Sequence, residues 1–190
     1  MILPIVAYGH PTLKKAAEEI DKDYPGLDEL ISNMFETMYI SSGVGLAAPQ
    51  VNKSIRLFMV DATPFAEEYP EAEDFAKVFI NPYILEETGE EWSFNEGCLS
   101  VPNVREDIIR KPKITIEYHD RDFNLIEEQY EGVIARIIQH EYDHIEGRIF
   151  VDLVNSLRKL LLKRRLNDIS TGNIDVDYKM IFPLKSKKNK

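Results

Sequence analysis

The stretch that most narrows what this chain can fold into is QHEYDHIEG, which begins at Gln139. His140, Glu141 and His144 stand there in the order H-E-x-x-H, and Val133, Ile137, His140 and His144 fall on one face if the segment is helical. Positions i and i+4 of a helix lie one turn apart on the same side, so both imidazoles can bind one cation while Glu141 projects beside them. Gly147 sits where such a helix would stop. Two histidines do not complete a catalytic site, which needs three protein ligands and a water.

The third ligand can be sought along the chain. In the extended metalloprotease pattern H-E-x-x-H-x-x-G-x-x-H the last position here is Phe150, which cannot ligate. A downstream glutamate is the other common solution, but no Glu follows Glu146. Asp168 lies past a basic stretch, beside what reads as a helix ending. Upstream, Cys98 in NEGCLSVP is the single cysteine, and a thiolate suits a borderline cation such as Fe²⁺ or Zn²⁺. Cys98, His140 and His144 would leave one coordination position open. Two other readings stay open on residues alone. A metallopeptidase would take a different third ligand. A non-catalytic metal domain would close its site with a fourth, for which His10 and His119 are the remaining histidines, the latter reading as exposed at a strand end.

At 190 residues the chain is one domain's worth, with 44% hydrophobic and 29% charged residues, which is ordinary for a globular protein. No apolar run approaches the roughly 18–20 residues that span a bilayer, and MILPIVAYGHP lacks the parts of a signal peptide. One cysteine allows no internal disulfide, which fits a reducing compartment. The expectation is a cytoplasmic protein without membrane partners, in which the sequon at Asn52 carries no meaning. The net charge of −10 is uneven: residues 156–190 hold ten Lys/Arg against three Asp, so the body is strongly acidic. That body argues against DNA binding, while the basic end could meet something anionic.

Leu27, Leu30, Ile31, Met34 and Met38 recur at helical spacing after the Pro25-Gly26 break. SGVGLAAPQV is too rich in Gly and Pro for a regular element. Strands are expected over Ile55–Val60, over VFINP ending at Pro82, and from Ile114, where apolar and polar residues alternate. A turn at residues 120–124 leads into a partner strand, LIEEQYEG. Residues 62–76 read as an exposed acidic loop with a short turn. A last helix near Leu153 carries the apolar stripe Leu153, Val154, Leu157, Leu160 and Leu161, with Arg158, Lys159, Lys163, Arg164 and Arg165 outside it. Strands and helices come in separate runs, so the fold class is α+β, with antiparallel β-sheets packed around a central metal-binding helix and a C-terminal helix. Residues 1–170 form a single catalytic domain in this reading, and 171–190 a C-terminal extension whose order stays open.

GVGLAAPQ (Gly43 to Gln50), EGCLS (Glu96 to Ser100) and QHEYDHIEG resemble the three signature motifs of the peptide deformylase family in order and separation. The likeness runs from the N-terminus to the helix after Leu153. Pro49 and Ile145 depart from the usual residues without removing a functional group. The resemblance implies a hydrolase that takes the N-formyl group from the initiator N-formylmethionine of nascent polypeptides and releases formate. It implies Cys98, His140 and His144 as ligands of Fe²⁺, for which Zn²⁺, Ni²⁺ or Co²⁺ can substitute. Water on the metal would be the nucleophile, with Glu141 as general base and then acid. Gln50 and the Leu99 backbone N–H would stabilise the oxyanion. Gly45, Val44 and Arg105 would contact substrate, with Val133 and Ile137 as apolar walls of the methionine pocket. Glu96 would order its motif by pairing with Arg136. The basic C-terminal helix would make transient contact with the ribosome.

Overall fold

The alternation at Ile114, Ile116 and Tyr118 has the consequence that period-two patterning dictates: all three side chains are buried on one face of a strand. The computed structural model describes residues 1–183. In chain order its regular elements are β1 (Ile5–Val6), α1 (Leu27–Ile40), β2 (Gly45–Ala47), β3 (Leu57–Asp61), β4 (Ala76–Thr88), β5 (Trp92–Cys98), β6 (Val101–Arg110), β7 (Lys113–His119), β8 (Leu125–Glu131), α2 (Gly132–Ile145), α3 (Ser156–Thr171) and β9 (Met180–Ile181). Five strands form an antiparallel sheet in the order β2-β3-β4-β7-β8, and β5 and β6 form a separate antiparallel hairpin.

Strand β3 shows why the sheet has a helix on each face. Leu57 and Met59 point to one side, where α1 brings Ile31, Met34 and Met38. Phe58 and Val60 point to the other, where Val133, Ile134, Ile137 and Ile138 of α2 pack with Phe79, Ile114 and Ile116. Each such side chain contributes roughly 1.5–3 kcal/mol when fully buried. The hairpin lies across α2, so this helix has twelve buried residues and carries its polar groups inside. The architecture is α+β, antiparallel sheets around α2, with α3 as the C-terminal helix. Among the named strands described, one pairing is parallel, that of β1 with β9.

Several local expectations need correction. β4 does not end at Pro82 but runs to Thr88, because a register shift between Ile80 and Tyr83 places the proline at an irregularity where no ladder N–H is required. Asn81 there adopts a positive φ of 49° and its amide clasps the Ile20 backbone. β3 starts at Leu57, since Ile55 instead bridges Glu18. The Gly-rich first motif does hold regular structure, β2 followed by a 3₁₀ turn over Ala48–Val51. Residues 62–76 form two short 3₁₀ turns whose Phe65, Tyr69 and Phe75 pack on the core rather than a simple exposed loop.

The largest correction concerns α3. Its buried residues are Leu166 and Ile169, whereas Leu157, Leu160 and Leu161 of the expected core stripe are 63–68% exposed. Leu153 and Val154 precede the helix, which starts after Asn155, whose side chain accepts the Arg158 N–H at 2.9 Å. Residues 173–183 return across the body, with Ile174, Ile181 and Phe182 packed on the cluster of β6 and α3. Residues 184–190, the rest of the C-terminal extension, lie outside the described residues. No described helix is long and apolar enough to cross a membrane.

Candidate active site

Helix α2 presents His140 and His144 one turn apart, with ring centroids 5.1 Å from each other. The end of β5 brings Cys98 to the same point: its Sγ lies 3.2 Å from His144 Nε2, and the three donor atoms lie within 4.8 Å of one another. His140 Nδ1 meets Glu96 Oε2 at 2.8 Å, which leaves Nε2 for the site and sets the ring's orientation. One thiol and two imidazoles converging in this way fit a borderline divalent cation. Among the described residues no other His, Cys, Asp or Glu joins the group. His10 instead accepts the Thr12 N–H, and Asp168 lies outside the cluster. His119, expected to be exposed, is half-buried against Phe123.

The support beneath these ligands is a buried ion network. Glu96 accepts from Arg110 at 2.8 and 3.0 Å and from Arg136 at 3.0 Å, and Arg110 reaches Asp143 at 2.7 Å. The Glu96–Arg136 pair was expected; Arg110 and Asp143 were not. Burial opposes a charge on Glu96, but His140 and Arg110 outweigh it and hold the carboxyl well below its ordinary range. Burial lowers the imidazoles too. For His140 the Cys98 sulfur and Glu96 prevail and raise it well above the usual value, while His144 is pushed well below by burial and by His140 and Arg110.

Glu141 differs from the other carboxylates. It is 4% exposed and makes no ion pair, so burial pushes it up to about 7, with Glu96 adding to the rise and His140 opposing it. Its Oε2 is buried without a hydrogen-bond partner in the structure. Gly45 makes room for it: a Cβ at that position would come within 2.7 Å of the Glu141 carboxyl carbon. The first glycine motif and the metal helix are therefore matched to each other as well as to any ligand.

Gln50 is equally held. Its Oε1 accepts the Ala47 N–H at 2.9 Å, while Nε2 lies 3.3 Å from Ser100 Oγ and 3.4 Å from Cys98 Sγ. A cleft of about 790 Å³ opens over these groups, lined by Val44, Gly45, Gln50, Leu99, Arg105 and Ile137 among the expected residues. Val133 is not in its wall; it is fully buried in the core beneath. Arg105 is fixed at the rim, with Nε to Asn95 Oδ1 at 2.8 Å and Nη2 to the Asn95 carbonyl at 2.6 Å. Among the lining residues that were missed are Phe65, Phe94 and Tyr178. The alternation of Trp92, Phe94 and Glu96 could have revealed β5 and hence Phe94. Phe65 and Tyr178 carry no local signal, since each reaches the cleft from a distant segment.

Three donors around one point, with a partnerless buried carboxylate beside them, define the centre of a metal-dependent hydrolase. The polypeptide deformylase family model matches residues 2–160. The chain is 62% identical to a peptide deformylase of Christiangramia forsetii, covering 96% of this chain and 97% of that one, and 56% identical to one of Flavobacterium psychrophilum, covering 95% and 96%. A crystal structure of a peptide deformylase from Legionella pneumophila superposes with a TM-score of 0.79 at 35% identity, over 91% of this chain and 98% of that chain. The plant peptide deformylase PDF1B superposes with a TM-score of 0.79 at 28% identity, over 93% and 96%. The chain belongs to the polypeptide deformylase family. That family comprises metal-dependent hydrolases that remove the N-formyl group from nascent peptides.

Proposed function

We propose that this chain hydrolyses the N-formyl group of nascent polypeptides that begin with N-formylmethionine, releasing formate. The observation that carries this reading is Glu141 Oε2, a buried carboxylate oxygen without a partner, beside three converging metal donors on the floor of the cleft. Cys98, His140 and His144 would hold the cation, which we take to be Fe²⁺, with Zn²⁺, Ni²⁺ or Co²⁺ able to replace it. When bound, the cation supplies the Lewis acidity that makes a water nucleophilic near neutral pH.

The remaining steps fall to the chain. Glu141 accepts the water proton on Oε2 and returns it to the departing amine nitrogen as the formyl C–N bond breaks. A carboxyl raised by burial is suited to hold that proton in between, whereas an ion-paired one such as Glu96 is not. Gln50 Nε2 and the Leu99 N–H would donate to the oxygen on which charge builds. Because the Gln50 carbonyl is anchored on Ala47, its amide group needs no reorientation as that charge develops. Val44 and Ile137 line the place for the methionine side chain, with Phe65 and Phe94 completing an apolar wall. Gly45 and Arg105 would meet the peptide backbone.

The reading puts the enzyme in the cytoplasm, where nascent chains emerge. Contact with the ribosome would use Lys159, Lys163, Arg164 and Arg165 on the outward side of α3, beside exposed Leu157, Leu160 and Leu161. Arg158 belongs to this set only in part, because Glu106 holds its guanidinium at 2.6 and 2.9 Å. Co-sedimentation with ribosomes that survives charge reversal at all five positions would remove that part of the proposal.

The central test is formate release from a short formyl-Met peptide by Fe²⁺- or Ni²⁺-loaded protein, with an acetyl-Met peptide as control. Release from the formyl peptide alone, lost in Cys98→Ser, is the expected result. A fully metallated protein that releases no formate would overturn the proposal.

A further inference from the structure

Residues 99 and 100 reverse the chain between β5 and β6, with Cys98 paired to Val101 across them. Two-residue reversals of this kind usually take left-handed conformations, supplied by Gly or Asn, that match the twist of the flanking strands. Leu99 and Ser100 are neither, and neither has a positive φ. The ladder is irregular on the same side, shifting register between Gly97 and Cys98. Local chemistry therefore does not specify this turn. It has to be held from outside, and it carries both a metal ligand and the N–H that the proposed mechanism uses.

Three separate segments hold it. Gln50 Nε2 lies 3.3 Å from Ser100 Oγ. The Tyr8 N–H donates to the Ser100 carbonyl at 2.8 Å. The Tyr178 hydroxyl donates to the Leu99 carbonyl at 2.7 Å. The last contact comes from beyond residue 160, where the family match ends. After α3 the chain reverses at Gly172, whose φ of 77° is the left-handed value that ends a helix without a Cβ penalty. It then returns as an extended strap. β9 is bonded to β1 through the Ile5 N–H to the Lys179 carbonyl at 2.9 Å and the Ala7 N–H to the Ile181 carbonyl at 2.8 Å. The next residue after Ala7 is Tyr8, so the strap and the N-terminal segment clamp the turn as one unit.

We propose that Tyr178 is a positioning residue for the reaction: by holding the Leu99 carbonyl it fixes the turn that presents the Leu99 N–H to the cleft. The inference rests on the oxyanion role given to Leu99 above. The Leu99 N–H and C=O flank one Cα, so holding the 99–100 peptide plane at the carbonyl narrows the φ/ψ combinations through which the N–H can turn away. A preorganised donor stabilises developing charge without first having to reorient, so loosening it lowers turnover rather than ground-state binding. Burial and the neighbouring Cys98 both raise the Tyr178 phenol, which keeps its proton available for donation.

The test compares full-length wild type with Tyr178→Phe, both metal-loaded, on a formyl-Met peptide. The ring and its packing stay, and only the hydroxyl goes. We expect kcat to fall roughly threefold to tenfold, the size of one neutral hydrogen bond, with KM and metal content unchanged and the thermal midpoint lowered by no more than about 2–4 °C. In the metal-free proteins, amides of residues 97–101 should exchange with deuterium faster in the variant. An unchanged kcat overturns the inference, and so does a fall in kcat that tracks lost metal or partial unfolding at the assay temperature. Absence of formate release from metallated wild type would be a different failure, of the proposed activity itself, and the positioning role would go with it.

Discussion

Helices α2 and α3 are close in length and both carry charged residues, yet they stand in opposite environments. α2 runs between the sheet and the β5–β6 hairpin, so Arg136, Glu141, Asp143 and both histidines are buried. α3 touches the body along one edge, with only Leu166 and Ile169 buried, and leaves most of its cations and three of its leucines to solvent. Inside, a charge must have a partner or shift its pKa, and both outcomes occur on neighbouring residues: Glu96 serves three cationic groups, while Glu141 has none and rises instead. Outside, water screens each charge and a partner adds little. The same residue types thus do structural and chemical work on one helix and are nearly free to change on the other.

The contrast can be pressed hardest at Glu141. Glu141→Gln keeps the shape but removes the proton carrier, so kcat for formyl-Met peptide should fall on the order of 10²–10⁴-fold with the metal still bound. Formate assays beside metal analysis decide this, and a loss under tenfold would discard Glu141 as the base. Glu96→Ala should do its damage to the fold instead. Stranding the buried Arg110 and Arg136 costs on the order of 3–5 kcal/mol in urea unfolding of the metal-free protein. Metal affinity should fall about 10–100-fold as well, since His140 loses the acceptor that orients it.

A third measurement separates the Glu96 charge from its shape. Its carboxyl is held below the ordinary value of 4.5, so the stability it confers is fully present above that pH. That stability is lost as pH falls through the depressed native value. The thermal midpoint of metal-free wild type should therefore drop more steeply below about pH 4.5 than that of Glu96→Gln, which has no such proton to bind. Parallel curves would mean that Glu96 contributes little through its charge. The smallest effect is expected on α3, where Lys163→Glu and Arg164→Glu should move stability by no more than about 0.5 kcal/mol. Arg158→Glu should stand apart from these two, because it faces buried Glu106 with a like charge. Equal midpoints for all three variants would show that the Glu106 pair has no weight.

Much of the centre was legible because its chemistry is local. The i, i+4 histidines, the lone cysteine and the flanking glutamates are visible in short stretches, and the helix that bears them has an unbroken apolar face. The antiparallel hairpin of β7 and β8 was equally legible, through its alternation and the Asp120–Asn124 turn. Pro82 misled because a proline ends a regular strand but not one with a bulge at that point. The leucines of α3 misled because helical spacing shows only that a stripe exists, not that anything covers it. Val133 shares a helix face with the histidines but lies too deep to reach the cleft.

By itself, the sequence determined which atoms could bind a cation, which carboxylate stood beside them, and the alternation of apolar residues that builds the sheet. Those properties depend on residue type and on separations of four residues or fewer. The tertiary structure alone decided that Arg110 and Asp143 join Glu96, that Gly45 must be bare for Glu141 to fit, and that Tyr178 reaches back to Leu99. Each of these joins segments between 14 and 96 positions apart. No local preference encodes such distances; they follow from how the packed faces close on one another.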